Sequence, residues 1–444
     1  MRSSFERMIP LAALLLAAAP ASAQGPAMRL SLADAVARAA AETAPVALAA
    51  LRVDEAEARV DEARGALLPH VGAAAAANNR TFNVDAFGFS LPAAPGVEHQ
   101  PLVGPVDNFD ARLRLTQPLF DPVSLARTRT AREAVTGVSA ERETAAEAAA
   151  QRAALAYLRA TRAEAKLAAR QADAALAAEL LSLAEEQLKA GVSAGIDVTR
   201  ARTQRVAADG QVLMARNAVA QAQIELARAI GVDPATRFEL SESLQAAAST
   251  PLPVAADGAV EIALARRPEL RQALAVSRTA GAAKRAIQAE RLPRVELVAD
   301  FGASGVHPTD AIATRQVGVQ LSIPVFDGMG REARLAQQSA VQREGELRSS
   351  DLREQISAEV RTALLERGNG EQQTAVAAEQ LSLAEEELAQ ARERFVNGVA
   401  GNIELINAQA SLLRARDAVI DAQFATATAQ ATLARAIGSA AELR

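Results

Sequence analysis

Two carboxylates occupy matching places in the two halves of this 444-residue chain. Asp197 lies in LKAGVSAGIDVTRAR, which starts at Leu188, and Glu404 lies in FVNGVAGNIELINAQ, which starts at Phe395. Each follows a glycine, Gly191 or Gly398, that interrupts a long alanine-rich helical pattern, and each falls where that pattern resumes. A carboxylate in the first turn of a helix interacts favourably with the orphan N–H groups and the dipole there, so ordinary capping is one reading of both. Phe395 continues a heptad seam, the place of a packing residue, and Asn407 follows Glu404 by about one turn. Gly191-Val192 and Gly398-Val399 are turn residues, glycine supplying the positive φ of a tight reversal.

Enzyme chemistry is not visible. His70, His99 and His307 have no metal-site spacing, there is no cysteine, and the GMG at Gly328 lacks the lysine and spacing of a phosphate-binding loop. The reading is therefore no catalytic residue, no metal and no cofactor. A formal charge of −5 with no basic stripe argues against nucleic acid. Half the residues are hydrophobic but only 3% are aromatic, a composition that suits helices lying close together.

The elements that must position these residues come in duplicate. ALLPHV, ending at Val71, matches ERLPRV, ending at Val295, and QPLFDPVSLAR from Gln117 matches IPVFDGMGREAR from Ile323. The glycine breaks correspond, as do Ala229-Ile230-Gly231 and Ala436-Ile437-Gly438. Each half then reads helix, strand, strand, long helix, turn, helix. The expected boundaries are a signal peptide over 1–23, a first repeat over 24–240, a linker over 241–257 rich in Pro and Ser around Ser249 to Pro253, and a second repeat over 258–444. Arg2, Arg7, the apolar run LAALLLAAA and the small-residue site Ala21-Ser22-Ala23 carry the signal-peptide reading. No later run of about eighteen apolar residues predicts a spanning helix, and no cysteine is present for an amino-terminal lipid anchor.

Within the long helices, Ala174, Ala177, Leu181, Ala184 and Leu188 form one heptad seam, and Leu381, Ala384, Leu388, Ala391 and Phe395 form another. Leu405, Leu412, Val419 and Leu433 run beside Ile406, Leu413, Ile420 and Ala427, predicting a last helix with a neighbour on each flank. A helix from Asp121 to Leu188 would be roughly 100 Å long at 1.5 Å per residue. That is too long for a compact domain.

Between the helices the period changes to two. Phe109, Ala111, Leu113 and Leu115 alternate with polar residues, as do Val295, Leu297, Ala299 and Phe301, and Val317, Val319, Leu321 and Ile323. Strands are predicted near 108–118, 293–305 and 314–324, with an alanine-rich fourth near 69–84. Pro69, Pro118, Pro293 and Pro324 are expected at helix–strand junctions. Seven of the eleven phenylalanines (Phe82, Phe87, Phe89, Phe109, Phe120, Phe301 and Phe326) lie in or beside these segments, which favours a membrane interface over a covered soluble sheet. Four strands cannot close a barrel, and unpaired edges in hydrocarbon cost several kcal/mol per group. Strands in a bilayer would therefore require several copies to share one barrel.

The repeat, QPLFD, IPVFDG, ARRPELRQA from Ala265 and the two glycine breaks together resemble the TolC-like outer-membrane efflux protein family over nearly the whole mature chain. The resemblance implies an α+β membrane protein in which three protomers share a twelve-stranded β-barrel in the outer membrane, continued by a long α-helical barrel across the periplasm. It implies hairpin turns near 190–197 and 397–404 at the periplasmic tip, with Gly191, Val192, Gly398 and Val399 contacting a periplasmic adaptor of the membrane-fusion class. Glu404 matches an acidic ring at the constriction, Asp197 would form a second ring, and Phe395 matches an aromatic constriction position. Asn407 stands where a second acid can occur, and Ala400 where some members carry a basic latch. The partners implied are outer-membrane lipid, the adaptor and an inner-membrane pump of RND or ABC type.

Two classes of function remain open on these residues. One is a passive export duct for small toxic molecules, the branch that the QPLFD and RPEL features resemble, or for polypeptides in type I secretion. The other is a periplasmic coiled-coil scaffold whose sheet is soluble.

Overall fold

The computed structural model describes residues 28–88, 102–249, 258–399 and 401–443. The expectations for the signal peptide, Phe89, the proline-bearing part of the linker and Ala400 lie outside the described residues, as does the side chain of Phe87. In chain order the elements are β1 (Met28–Leu30), α1 (Leu32–Glu42), α2 (Ala44–Gly65), β2 (His70–Asn83), β3 (Leu102–Phe120), α3 (Pro122–Lys189), α4 (Gly195–Ala229), β4 (Phe238–Leu240), α5 (Leu244–Ser249), α6 (Ala259–Arg266), α7 (Pro268–Ala289), β5 (Arg294–Gly305), β6 (Ile312–Ser322), α8 (Gly330–Val396) and α9 (Asn402–Ala436). Each half thus contains a helix, two long strands, a helix of 68 or 67 residues and a returning helix of 35.

The four long strands form one antiparallel sheet in the order β2-β3-β5-β6. The hairpins of the two halves share a register: Val71 pairs with Leu115, and its counterpart Val295 pairs with Leu321. Pro118 departs from its expected place, because β3 continues past it to Phe120. The ladder shifts between Pro118 and Phe120, where a residue without an N–H cannot hold regular pairing. Pro69 and Pro293 immediately precede β2 and β5, and Pro324 lies beyond the end of β6.

The QPLFD and IPVFDG motifs turn each hairpin into its long helix. Asp121 accepts from the backbone N–H of Val123 and Ser124, both at 3.1 Å, and from the Ser124 hydroxyl at 2.6 Å. Pro122 fills the first helical position, where no N–H is needed. Asp327 does the corresponding work for α8, accepting from Arg331 N at 2.9 Å. Burial would raise the Asp121 carboxyl, but the hydrogen bonds from Ser124 outweigh it and hold the group below the usual carboxylate range.

About midway along the long helices a small α/β layer wraps them. β1 pairs in parallel with β4, and Tyr157, fully buried on α3, donates to Leu30 O and accepts from Glu242 N, each at 3.3 Å. Leu158, Leu226, Ile230, Val36 and Phe238 complete this core. The expected linker is partly helical, since α5 lies against α9 and Gln430 Nε2 donates to Ala248 O at 2.9 Å. The RPEL residues stitch the other side: Arg267 donates to Ala436 O at 3.2 Å at the end of α9 and to Glu359 at 2.8 Å, while Glu269 pairs with Arg435.

Candidate functional site

The breaks at Gly191 and Gly398 are the ends of two helical hairpins, α3–α4 and α8–α9. Both long helices stop in the same way. Gly191 has φ +75° and Gly398 φ +71°. The following N–H groups close back on the helix, Val192 to Gln187 O at 3.1 Å and Val399 to Arg394 O at 2.9 Å. These are Schellman caps, which glycine favours because a Cβ is strained at positive φ.

Asp197 and Glu404 occupy equivalent third positions of the returning helices but have different partners. Asp197 turns back onto its own helix start, accepting from Ala194 N at 3.3 Å and the Ser193 hydroxyl at 3.0 Å. It is a capping group whose carboxylate is largely covered within one chain. Glu404 instead reaches across its turn to Arg394, Oε1 to Nε 2.9 Å, and both side chains are about half exposed. The acid expected at a constriction therefore carries its own counter-ion, which the sequence reading missed. Asn407 is exposed one turn further on.

Phe395 is only 5% exposed within the chain. It packs with Leu180, Ala391, Leu405 and Ala408, and with Leu176, Leu183 and Leu388 around them. The physical reason is a second seam on α3. Leu181 and Ala184, on the expected heptad seam, pack with Val198 and Ala201 of α4, but Leu176, Leu180 and Leu183 form a parallel apolar stripe that receives the other hairpin. That stripe at three- and four-residue spacing was the available signal.

Polar contacts join the hairpins along the same seam. Buried Asn402 donates to Asp197 O at 2.9 Å, Gln187 donates to Val396 O at 3.4 Å, and Arg392 pairs with Glu179 at 2.5 Å. Further from the turns, Arg416 meets buried Asp173 at 2.7 Å, Arg170 meets Asp417, and Arg162 and Lys166 both meet Asp421 at 2.7 and 2.9 Å. Arg162 also lies over the Phe424 ring at 4.7 Å. Burial alone would raise the Asp421 carboxyl, but Lys166 and Arg162 hold it below the usual carboxylate range. Below this ladder, the outer rim of the turns is apolar and open, with Val192, Ile196, Val396, Val399 and Ile403 all about half exposed or more.

At the opposite end, the sheet has two unlike faces. Val71, Leu115, Ala299 and Val317 form one continuous cross-strand row, and the next row is Gly72, Arg114, Asp300 and Gln316. The polar face carries Arg112 bonded to Asp300 at 3.1 Å. The apolar face is uncovered: Val71 is 69% exposed, Phe301 61% and Val317 72%, and Phe326, beyond the end of β6, is 79% exposed. Among the described residues no group of His, Asp and Glu is arranged to hold a metal ion, and no helix is long and apolar enough to cross a membrane.

Comparison with known proteins accords with this architecture. The outer-membrane channel OprN is 20% identical, with a TM-score of 0.76 over 92% of this chain and 90% of that one. CusC, whose structures describe transmembrane channel formation, is 17% identical, with a TM-score of 0.78 over 95% of each chain. The outer membrane protein VceC of Vibrio cholerae is 18% identical, with a TM-score of 0.75 over 92% of this chain and 96% of that one. No curated protein matches the sequence. At these identities the likeness establishes the fold. The sequence itself matches the outer membrane efflux protein pattern over residues 35–232 and 259–439, most of its length, and the chain therefore belongs to the outer membrane efflux protein family.

Proposed function

We propose that this chain is the passive outer-membrane exit duct of a tripartite efflux system, exporting small toxic molecules that an inner-membrane pump of RND or ABC type delivers through a periplasmic adaptor. The single observation that carries this reading is the uncovered apolar face of the four-stranded sheet. Such a face in water would invite aggregation, whereas lipid accommodates it and leaves the Arg- and Asp-bearing face to line an aqueous channel. A coiled-coil scaffold with a soluble sheet would need helices over that face.

Four strands still leave two edges, so closure requires copies. Three copies supply twelve strands and a usable lumen, and eight from two copies would leave little more than room for side chains. The helices then continue the barrel as a tube, and the apolar rim at Val192, Ile196, Val399 and Ile403 is the surface offered to the adaptor. Docking there would spread hairpins that the Phe395 seam holds together.

The test is to express the precursor in a Gram-negative host, extract the outer membrane with mild detergent and measure the protein mass by light scattering. Three chain masses and single-channel conductance are expected. A periplasmic protein released without detergent would overturn the reading. For cargo, a deletion strain should become sensitive to drugs, dyes or metals. Unchanged sensitivity with lost polypeptide secretion would replace efflux by type I secretion.

A further inference from the structure

Where the strands meet their helices, the polar face of the sheet ends on a cleft of about 690 Å³. Its sheet wall includes His70, Thr116, Glu296 and Ser322. Each lies an even number of residues along its strand from the Gly72, Arg114, Asp300 and Gln316 row, and therefore on that same face. The helix wall carries Arg127 of α3, Glu290 just past α7, Asp327 just before α8, and Arg331 and Arg334 of α8. In the duct reading above, this face borders the water-filled path.

On the helix wall donors outnumber acceptors. Arg334 holds Glu290 in a two-pronged grip, at 2.8 and 2.7 Å, which engages both carboxylate oxygens. Asp327 is spent on the start of α8, accepting from Arg331 N at 2.9 Å. Arg331 is only 7% exposed, yet its Nε stops 3.8 Å from Asp327 and 4.0 Å from Glu290 and has no hydrogen-bond partner among the described residues. Arg127 likewise stops 4.0 Å from Glu290. Both distances lie beyond hydrogen bonding. The guanidiniums of Arg127, Arg331 and Arg334 thus face only the carboxylates of Glu290 and Asp327, leaving one positive charge over. At the far end Arg294 pairs with Glu296 and lies 3.6 Å from Asp121, so the surplus is confined to the Arg127 and Arg331 end.

Resting on the duct reading, we propose that this cleft is a transit site for exported molecules of drug size that carry one carboxylate, with Arg331 Nε and Arg127 holding the carboxylate and Pro118, Leu292 and Pro324 facing the apolar body. A buried guanidinium N–H calls for an acceptor, and a single carboxylate both supplies it and neutralises the surplus charge. The volume falls within the range of small-molecule sites, about 300–1,000 Å³, and far exceeds what a compact inorganic ion fills. Glu290 and Asp327, within 4.0 Å of Arg331, oppose the incoming anion and keep its binding weak. A conduit needs that weakness, because a site on the path must also let go.

The test is equilibrium dialysis of the full mature protein in non-ionic detergent against naphthoate, its uncharged counterpart naphthamide, and inorganic phosphate, with detergent alone as the blank. Naphthoate should bind at least about tenfold more tightly than naphthamide. Arg127→Gln, at an exposed side chain, and Arg331→Gln should each remove that preference. Glu290→Gln should tighten naphthoate by about threefold or more, because it removes an opposing charge. A merely structural cluster would lower the thermal midpoint in these variants without separating naphthoate from naphthamide. Equal binding of the two probes, or a preference unchanged in Arg127→Gln, would overturn the carboxylate site. Phosphate bound as tightly as naphthoate would replace it by a compact-ion site. A trimeric channel without the preference would overturn the site and leave the duct standing. A naphthoate-binding single chain released without detergent would overturn the duct and the transit role with it.

Discussion

Arg394 and Glu404 face each other across the second hairpin turn, guanidinium Nε to carboxylate Oε1 2.9 Å, with about half of each side chain in water. An exposed pair of this kind contributes about 0–1 kcal/mol to stability, so its importance lies in the field it presents at the tip. Removing one member releases the other's charge. Glu404→Ala is expected to lower cation preference by about twofold or more, and Arg394→Ala to raise it, with the double variant near the parent. Reversal potentials across a salt gradient in a planar bilayer decide this, and no shift in either single variant would leave the pair without a role in selectivity.

Phe395 is buried between the two hairpins, so packing and gating can be tested separately. Phe395→Ala should cost about 3–5 kcal/mol if the seam is fully formed, read as a lower thermal midpoint of the detergent-solubilised protein. Asn402→Ala removes the hydrogen bond to Asp197 O, a loss of about 1 kcal/mol. Both should increase open-channel conductance by loosening the hairpins. An unchanged midpoint with a raised conductance in Phe395→Ala would favour a gate over a packing residue.

Glycine at the turns is a backbone requirement with no steric component. A Cβ at Gly191 or Gly398 meets nothing within 4 Å, yet φ is +75° and +71°. Gly398→Ala should therefore destabilise by about 1–2 kcal/mol, and Gly398→Asn by less, as judged by thermal unfolding and by protease cleavage at the tip. Equal effects of the two substitutions would point instead to a crowded site.

The ladder between α3 and α9 makes stability depend on acid. The Asp421 carboxyl is held below its ordinary range by Lys166 and Arg162 against the opposing effect of burial. A group depressed in the folded state contributes stability that is present above its unfolded pKa and is lost as pH falls through the folded value. Stability should thus decline from about pH 4 downward, and Asp421→Asn should flatten that decline while lowering stability at neutral pH. Thermal midpoints across pH 2.5 to 7, roughly the span that brackets a depressed carboxylate, provide the check.

Much of this architecture is local and therefore visible in sequence. The alternation from Phe109 to Leu115 and from Val295 to Phe301 predicts two-faced strands because side chains change sides at every residue. Gly191 and Gly398 predict helix ends because few other residues adopt positive φ cheaply. The duplicated LLPHV and RLPRV, and QPLFD and IPVFD, predict two equivalent halves. Boundaries shifted where one residue answers to two elements: Pro118 stops regular pairing but not β3, which resumes at Phe120.

What only the tertiary structure decided is which residues meet across the chain. Asp197 and Glu404 look alike in sequence, yet one caps its own helix and the other pairs with Arg394. Phe395 belongs to a seam whose other side, Leu176, Leu180 and Leu183, comes from the first half. Arg170 finds Asp417 from 247 positions away. Local periodicity reports the face on which a side chain lies. The packing of one hairpin against another selects its partner, through contacts between residues more than two hundred positions apart that no local pattern encodes.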